Sequence, residues 1–170
     1  MSCSILIAGV GNIFLGDDAF GVEVVRALAG RKLPAGVSVA DYGIRGFDLA
    51  YALLNPWDAV IIVDALSRGE APGTLFIMEP DVSGMKSAQP TETTIDPHGM
   101  DQVRVLQLAL SMGEIGARVY VAGCEPADFG DELEGRMGLS ETAQSSIGEA
   151  VEMVEGLVER ILAAREMCTA

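Results

Sequence analysis

One histidine stands among many carboxylates in this sequence. His98 is the only histidine in the 170 residues, whereas aspartate and glutamate together number 25. It lies in the polar stretch TTIDPHGMDQ, residues 93–102, between a proline and a glycine. An imidazole binds transition metals and transfers protons near neutral pH. A lone histidine in a surface loop is more often without such a role, so its meaning depends on which groups the fold brings near it.

Polar side chains lie at the ends of the predicted strands. The runs SILIAGVG, DAVIIVDAL and ARVYVAGCEP are apolar, as expected of strands buried on both faces, and each leads into polar residues. In open parallel sheets, ligands bind in the crevice beyond the carboxyl ends of the strands. We therefore expect the loop carrying His98 to fold over the carboxyl ends of the strands. The following side chains are expected to lie together there: Asn12, Asp17, Asp18, Asp41, Asp64 and Glu125.

Two carboxylates and one imidazole around a crevice would suit a divalent transition metal, because imidazole is a good ligand for nickel and zinc. Each carboxylate also has a structural interpretation. Asp18 would cap the helix that follows it, and Asp41 and Asp64 would accept hydrogen bonds from loop N–H groups. Glu125, before Pro126, would belong to a solvated turn. The residues are far apart in sequence, so spacing alone does not decide between the two interpretations.

Other chemistries find less support. The stretch GVGNIFLGDD lacks the third glycine of the dinucleotide-binding fingerprint, because that position is Phe14, and its acidic pair would repel a pyrophosphate. There is no G-x-S-x-G nucleophile elbow. Cys124 ends an apolar strand and would need His98 as its base, so a buried structural thiol is favoured. If the protein hydrolyses a bond, water activated by a carboxylate or a metal is the simpler nucleophile.

Composition and charge argue against several classes of protein. A net charge of −14 is unfavourable for binding nucleic acid or an anionic membrane. The longest apolar run ends at Asp17, too early to span a bilayer, and no secretory signal is evident. The three cysteines fit neither a zinc pattern nor a disulfide framework. We therefore expect a cytoplasmic protein with one domain over residues 1–170 and, by default, a monomer.

Strands and helices alternate along the chain. Strands are predicted at 4–11, 36–43, 58–66, 73–80 and 117–126, and helices at 19–33, 46–55, 100–113 and 139–167, the last with an N-cap at Ser140. In the helix over 100–113, Val103, Leu106, Leu108 and Leu110 are available for burial. The polar, proline-containing residues 80–99 are expected to form a long loop. This alternation predicts an α/β fold: a three-layer αβα sandwich around a mostly parallel five-stranded sheet.

Several ordered motifs resemble those of the [NiFe]-hydrogenase maturation endopeptidases. The chain reads ILIAGVGNIFLGDDAFGVEVVRAL, followed by DYGIRG, VIIVDA, APGT, PHGM and VAGCEP, between about residue 4 and residue 126. The resemblance implies a phosphorylase/hydrolase-like αβα fold. It also implies an endopeptidase that clips a short C-terminal extension from the hydrogenase large-subunit precursor after nickel has been inserted.

The resemblance also implies a set of site residues. The positions that contact metal and carry catalysis correspond to Asp18, Asp64 and His98, the first being Glu in some members and Asp in others. Gly11, Asn12, Asp41 and Gly43 would shape the cleft. The metal would be Ni²⁺ contributed by the substrate precursor, and Cd²⁺ or Zn²⁺ could take its place in vitro. The family is described as aspartic-type, but the sequence has no D-T-G or D-S-G pair, so the general base stays open.

Two other functions fit the same residues. A non-catalytic nickel-binding chaperone of hydrogenase assembly would use the same three ligands but would hold nickel tightly when purified alone. A peptidase of similar fold could act on an unrelated protein. A protease selective for nickel-loaded precursor instead needs an incomplete metal site, which two carboxylates and one imidazole would provide.

Overall fold

A five-stranded sheet lies at the centre of the molecule. This computed structural model describes residues 3–85, 102–130 and 133–169. The strands are β1 (Ile5–Val10), β2 (Val37–Gly43), β3 (Ala59–Ala65), β4 (Leu75–Met78) and β5 (Arg118–Cys124), in the order β2-β1-β3-β5-β4. Neighbouring strands are parallel except β4 and β5, which are antiparallel. The predicted mostly parallel sheet is confirmed.

Helices cover both faces of this sheet. They are α1 (Phe20–Ala29), α2 (Gly46–Leu53), the single turn α3 (Val82–Met85), α4 (Gln102–Met112) and α5 (Glu141–Thr169). Helices α1 and α5 pack on one face, and α2 and α4 pack on the other, so the predicted αβα sandwich is confirmed. Within the described ranges, no helix is long and apolar enough to cross a membrane.

The strand sequences explain the two apolar layers. In β1, Ile5 and Ile7 face the α1–α5 side, whereas Leu6 and Val10 face the α2–α4 side, because successive side chains of a strand point to opposite faces. All four side chains are at most 2% exposed. Every residue of β3 is buried as well. A central parallel strand covered on both faces therefore has a continuous apolar sequence.

Helix α1 approaches the sheet closely at Gly21. A Cβ on this residue would lie 2.0 Å from the carbonyl oxygen of Val63 and 2.4 Å from that of Val10. Only glycine allows this contact, which holds α1 against β1 and β3. The preceding 3₁₀ turn, Gly16–Ala19, is thereby fixed at the carboxyl ends of the same two strands.

Element boundaries differ modestly from the sequence prediction. Helix α1 begins at Phe20, after the 3₁₀ turn, and ends at Ala29 instead of residue 33. The loop predicted over residues 80–99 begins with the turn α3, and residues 86–99 lie outside the described residues. Ser140 caps α5 as predicted, since its hydroxyl accepts a hydrogen bond from the Ala143 N–H (3.2 Å).

Candidate functional site

The sheet order changes direction between β1 and β3. The chain leaves β1 towards β2 on one side, and it leaves β3 towards β4 and β5 on the other. Where two connections diverge in this way, a crevice opens beyond the carboxyl ends of the strands. The 3₁₀ turn after β1 carries Asp18, and β3 carries Asp64 as its penultimate residue. The two aspartates thus lie at the switch point of the sheet.

Asp64 is buried at this edge, with 6% of its surface exposed. The Ala65 N–H donates to Asp64 Oδ1 (2.8 Å), and the Gln102 side-chain amide donates to Oδ2. Gln102 is the first residue of α4 and is itself buried. The start of α4 is therefore joined directly to the candidate site. The sequence does not mark Gln102 as a site residue, because a glutamine at a helix start carries no sign of its partner.

Asp18 is also 6% exposed, and its Oδ2 accepts a hydrogen bond from the Asn12 N–H (2.7 Å). Gly11 makes this turn possible. It has φ +132°, and a Cβ there would lie 1.7 Å from the Asp18 carbonyl oxygen. Asn12 in turn accepts a hydrogen bond at Oδ1 from the Phe14 N–H (3.0 Å). Gly11 and Asn12 therefore shape the loop that carries Asp18.

The two aspartates interact electrostatically. Burial raises the pKa of Asp64 well above its usual range, and the negative charge of Asp18 raises it further. Hydrogen bonds from Ala65 and Gln102 act in the opposite direction but do not offset these effects. A pair of repelling carboxylates of this kind is stabilised by a divalent cation or by retaining a proton. Either state is suited to activating a water molecule.

The third predicted ligand, His98, lies outside the described residues. Among the residues that the structure describes, no group of three or more His, Cys, Asp or Glu side chains could hold a metal ion. Asp18 and Asp64 therefore form an incomplete donor set in this part of the chain. Carboxylate oxygens are suitable ligands for a divalent metal, although they do not select nickel by themselves.

Asp17 is directed away from the crevice and is completely buried. Its carboxylate accepts hydrogen bonds from the Ser140 N–H (2.6 Å), the Ser140 hydroxyl (2.9 Å), the Ala127 N–H (2.8 Å) and the Asp128 N–H (3.2 Å). Burial alone would raise the pKa of Asp17, but these donors outweigh it and the pKa is lowered. Asp17 is therefore a structural carboxylate that joins the turn carrying Asp18 to the start of α5.

The interpretation of Glu125 as part of a solvated turn is wrong. It is 4% exposed, and its carboxylate accepts hydrogen bonds from the Arg68 N–H (2.7 Å), the Ser67 hydroxyl (3.2 Å) and the Gly69 N–H (3.3 Å). Burial would raise the pKa of Glu125, but donors of the loop after β3 lower it overall. Glu125 thus organises the loop that follows Asp64.

Asp41 and Gly43 lie on β2, at the same edge of the sheet. Asp41 falls inside the strand and is exposed, with its Oδ2 3.6 Å from the Arg26 guanidinium. A β-bulge follows, so that Val10 pairs with Gly43, whose carbonyl oxygen accepts a hydrogen bond from the Gly11 N–H (3.0 Å). Gly43 therefore supports the Gly11 loop, whereas the Asp41 carboxylate pairs with a surface arginine.

Cys124 is buried at the end of β5 and has 1% of its surface exposed. Burial raises its pKa to about 12, with further contributions from the charges of Asp17 and Glu125. The group is a thiol at neutral pH, and the thiolate needed for nucleophilic attack is disfavoured. The structure agrees with the structural role predicted for this cysteine.

Comparison with known proteins gives a consistent result. Residues 22–157 match the family model HycI, hydrogenase maturation protease. The sequence is 35% identical over 153 residues to the hydrogenase 2 maturation protease of Escherichia coli K12, covering 88% of this chain and 87% of that protein. It is 32% identical over 160 residues to a putative hydrogenase maturation protease of Methanocaldococcus jannaschii, covering 92% and 97% of the two chains.

A solved structure agrees with these sequence matches. The fold is similar to that of the hydrogenase maturating endopeptidase HybD from E. coli, with a TM-score of 0.72 and 32% identity, covering 92% of this chain and 93% of the other. The family match spans most of the chain and includes Asp64. The protein therefore belongs to the hydrogenase maturation protease family.

Proposed function

We propose that this protein is an endopeptidase that removes the C-terminal extension of a nickel-loaded [NiFe]-hydrogenase large-subunit precursor. The observation that carries the proposal is the pairing of two buried aspartates, Asp18 and Asp64, at the switch point of the sheet in a chain of this family. An activated water is the nucleophile that this pair supports, because the nearby Cys124 is a buried thiol.

The nickel ion is part of the substrate in this proposal and serves as the recognition element. Asp18 and Asp64 supply oxygen ligands but leave coordination positions open, so a metal already held by the precursor can bridge the two proteins. A precursor without nickel would leave the two carboxylates facing each other without a cation between them. Docking would then gain no free energy from relief of their repulsion, whereas a nickel-loaded precursor would supply the cation that relieves it, and selectivity for the loaded precursor follows.

His98 is the proposed third ligand. Gln102, which donates to Asp64, is four residues later in the chain. Since consecutive Cα atoms are about 3.8 Å apart, four peptide units span at most about 15 Å. That reach allows the imidazole to approach the same crevice. We assign nickel ligation to His98 and Asp64, and either ligation or proton abstraction from water to Asp18.

The experiment that tests this function compares the intact mass of the host's own hydrogenase large subunit in four strains. The strains carry the wild-type gene, no gene, His98→Ala, or Asp48→Asn as a control. Asp48 is an exposed carboxylate on α2 that pairs with Arg45 (3.4 Å). We expect the extension to be removed with the wild-type protein and the Asp48 variant and retained in the other two strains.

Removal of the extension in the strain without the gene would contradict the proposed protease function. A non-catalytic nickel chaperone would then be favoured if the purified protein holds nickel tightly when no precursor is present. Normal processing by His98→Ala alone would refute only the assignment of that residue. Circular dichroism of the purified variant provides the control for folding.

A further inference from the structure

A short segment, residues 124–128, begins at the last residue of β5 and contacts both loops of the candidate site. Towards β3, the Cys124 carbonyl oxygen accepts a hydrogen bond from the Leu66 N–H (2.9 Å), two residues after Asp64. The buried Glu125 carboxylate then holds the next part of that loop by accepting hydrogen bonds from residues 67–69. The loop after Asp64 is thus attached to this segment by backbone and side-chain hydrogen bonds.

The other end of the segment holds the turn that carries Asp18. The Asp17 N–H donates to the Asp128 carbonyl oxygen (3.0 Å), and the Asp17 carboxylate accepts from the Ala127 and Asp128 N–H groups. Ser140 adds two donors from the start of α5. The residue immediately before Asp18 is therefore fixed on the same segment that fixes the loop after Asp64.

We propose that Asp17 and Glu125 are positioning residues that together set the separation of the Asp18 and Asp64 carboxylates. The segment 124–128 is the common support, and each buried carboxylate attaches one loop of the site to it. Neither residue needs to touch the substrate. The catalytic part of the inference rests on the proposed protease function, whereas the geometric part does not.

Isosteric amides are suitable variants because they preserve shape and remove an acceptor. In Asp17→Asn, an NH₂ group replaces one oxygen and faces an N–H donor of Ser140 or of Ala127. In Glu125→Gln, the new NH₂ group faces the donors of Arg68 or of Ser67 and Gly69. Two donors facing each other cannot form a hydrogen bond, so the attached loop must shift.

The kinetic test is cleavage of the host's nickel-loaded precursor by purified variants. A shift of about 1 Å in a catalytic group can cost on the order of 100-fold in rate. We expect each variant to lower kcat by about 10- to 100-fold, and KM should rise as well, because the displaced carboxylates also bind the nickel of the precursor. Val154→Ala, in the buried face of α5, is the matched control for lost stability alone. Assayed well below its Tm, it should retain the wild-type kcat.

A second readout does not depend on activity. Crystal structures of Asp17→Asn and Glu125→Gln should show a changed separation of the Asp18 and Asp64 carboxylates. An unchanged separation, or a wild-type kcat in both variants, would overturn the proposal. Should Asp17→Asn not fold, Ser140→Ala takes its place. It removes the hydroxyl donor to Asp17 together with the N-cap of α5, and a smaller loss of kcat is expected. If the wild-type protein cleaves no precursor, the proposed protease function is refuted. The inference is then tested only by the separation of the Asp18 and Asp64 carboxylates in the crystal structures of the variants.

Discussion

Replacing Gly11 by alanine tests the close packing on which the candidate site depends. The new Cβ would lie 1.7 Å from the Asp18 carbonyl oxygen, whereas an ordinary contact begins near 3.4 Å. The turn carrying Asp18 would have to move by about 1.7 Å to remove the clash. The φ of +132° adds strain of about 1–3 kcal/mol for a residue with a Cβ.

We expect Gly11→Ala to lower kcat for precursor cleavage by at least about 100-fold, because the required displacement exceeds the 1 Å that already has such an effect. Its free energy of unfolding, measured by urea denaturation, should fall by more than the strain alone. Gly138→Ala is the matched control. Gly138 also has a positive φ, +90°, but nothing lies within 4 Å of its Cβ position.

The control variant should lose about 1–3 kcal/mol of stability and keep its cleavage rate. The reasoning would be refuted if both variants lost the same stability and cleaved at the same rate. That outcome would mean that the turn adjusts without moving Asp18 relative to Asp64.

Three further variants test other features. Gly148→Ala, at an exposed position of α5 with open space around it, should raise the free energy of unfolding by about 1 kcal/mol in urea denaturation; a decrease would contradict the helix-propensity argument. Asp64→Asn should abolish cleavage yet raise the Tm at pH 7, because it removes a buried carboxylate that repels Asp18, while the Gln102 side-chain amide can rotate to present its oxygen to the new NH₂ group; a lower Tm would indicate that the carboxylate stabilises the fold. Asp58→Asn should destabilise the protein at neutral pH, because the Ser4 N–H donates to Asp58 (2.7 Å) and, with Arg165, lowers its pKa. The difference in stability between this variant and the wild type should be fully present above about pH 4 and should disappear as the pH falls through the lowered pKa of Asp58, as followed by circular dichroism. A difference in stability that persists in acid would exclude the charge of Asp58 as its cause.

The fold could be predicted from the sequence because the central strands are covered on both faces. Their continuous apolar runs, ended by glycine or aspartate, mark each strand clearly. Asp18 and Asp64 could be predicted to lie at the same end of the sheet, because parallel strands all end in the same direction. Local patterns were less informative for α4, where Val105 and Ala109 are buried and Val103 is 45% exposed. The buried residues of α4 are spaced as one face of a helix that starts at Gln102. Because Gln102 is polar, a pattern based on apolar residues alone does not reveal this face.

The roles of Asp17 and Glu125 could not be predicted in the same way. The donors to Asp17 lie 110 to 123 residues later in the chain, and those to Glu125 lie 56 to 58 residues earlier. No local spacing records such contacts. Both residues were expected to line the crevice, and both instead support the loops that do. A carboxylate at a strand end is thus as suitable for holding a loop as for binding a ligand.

Helix α5 runs from the carboxyl ends of the strands to their amino ends. Ser140, just before it, bonds to Asp17 beside the candidate site, and Arg165 near its end pairs with Asp58 at the start of β3. At a rise of 1.5 Å per residue, the 25 steps from residue 140 to residue 165 correspond to about 37 Å. A label or solid support attached beyond the end of α5 would therefore lie far from the crevice. Protein immobilised in this way would present its candidate site to a large soluble precursor.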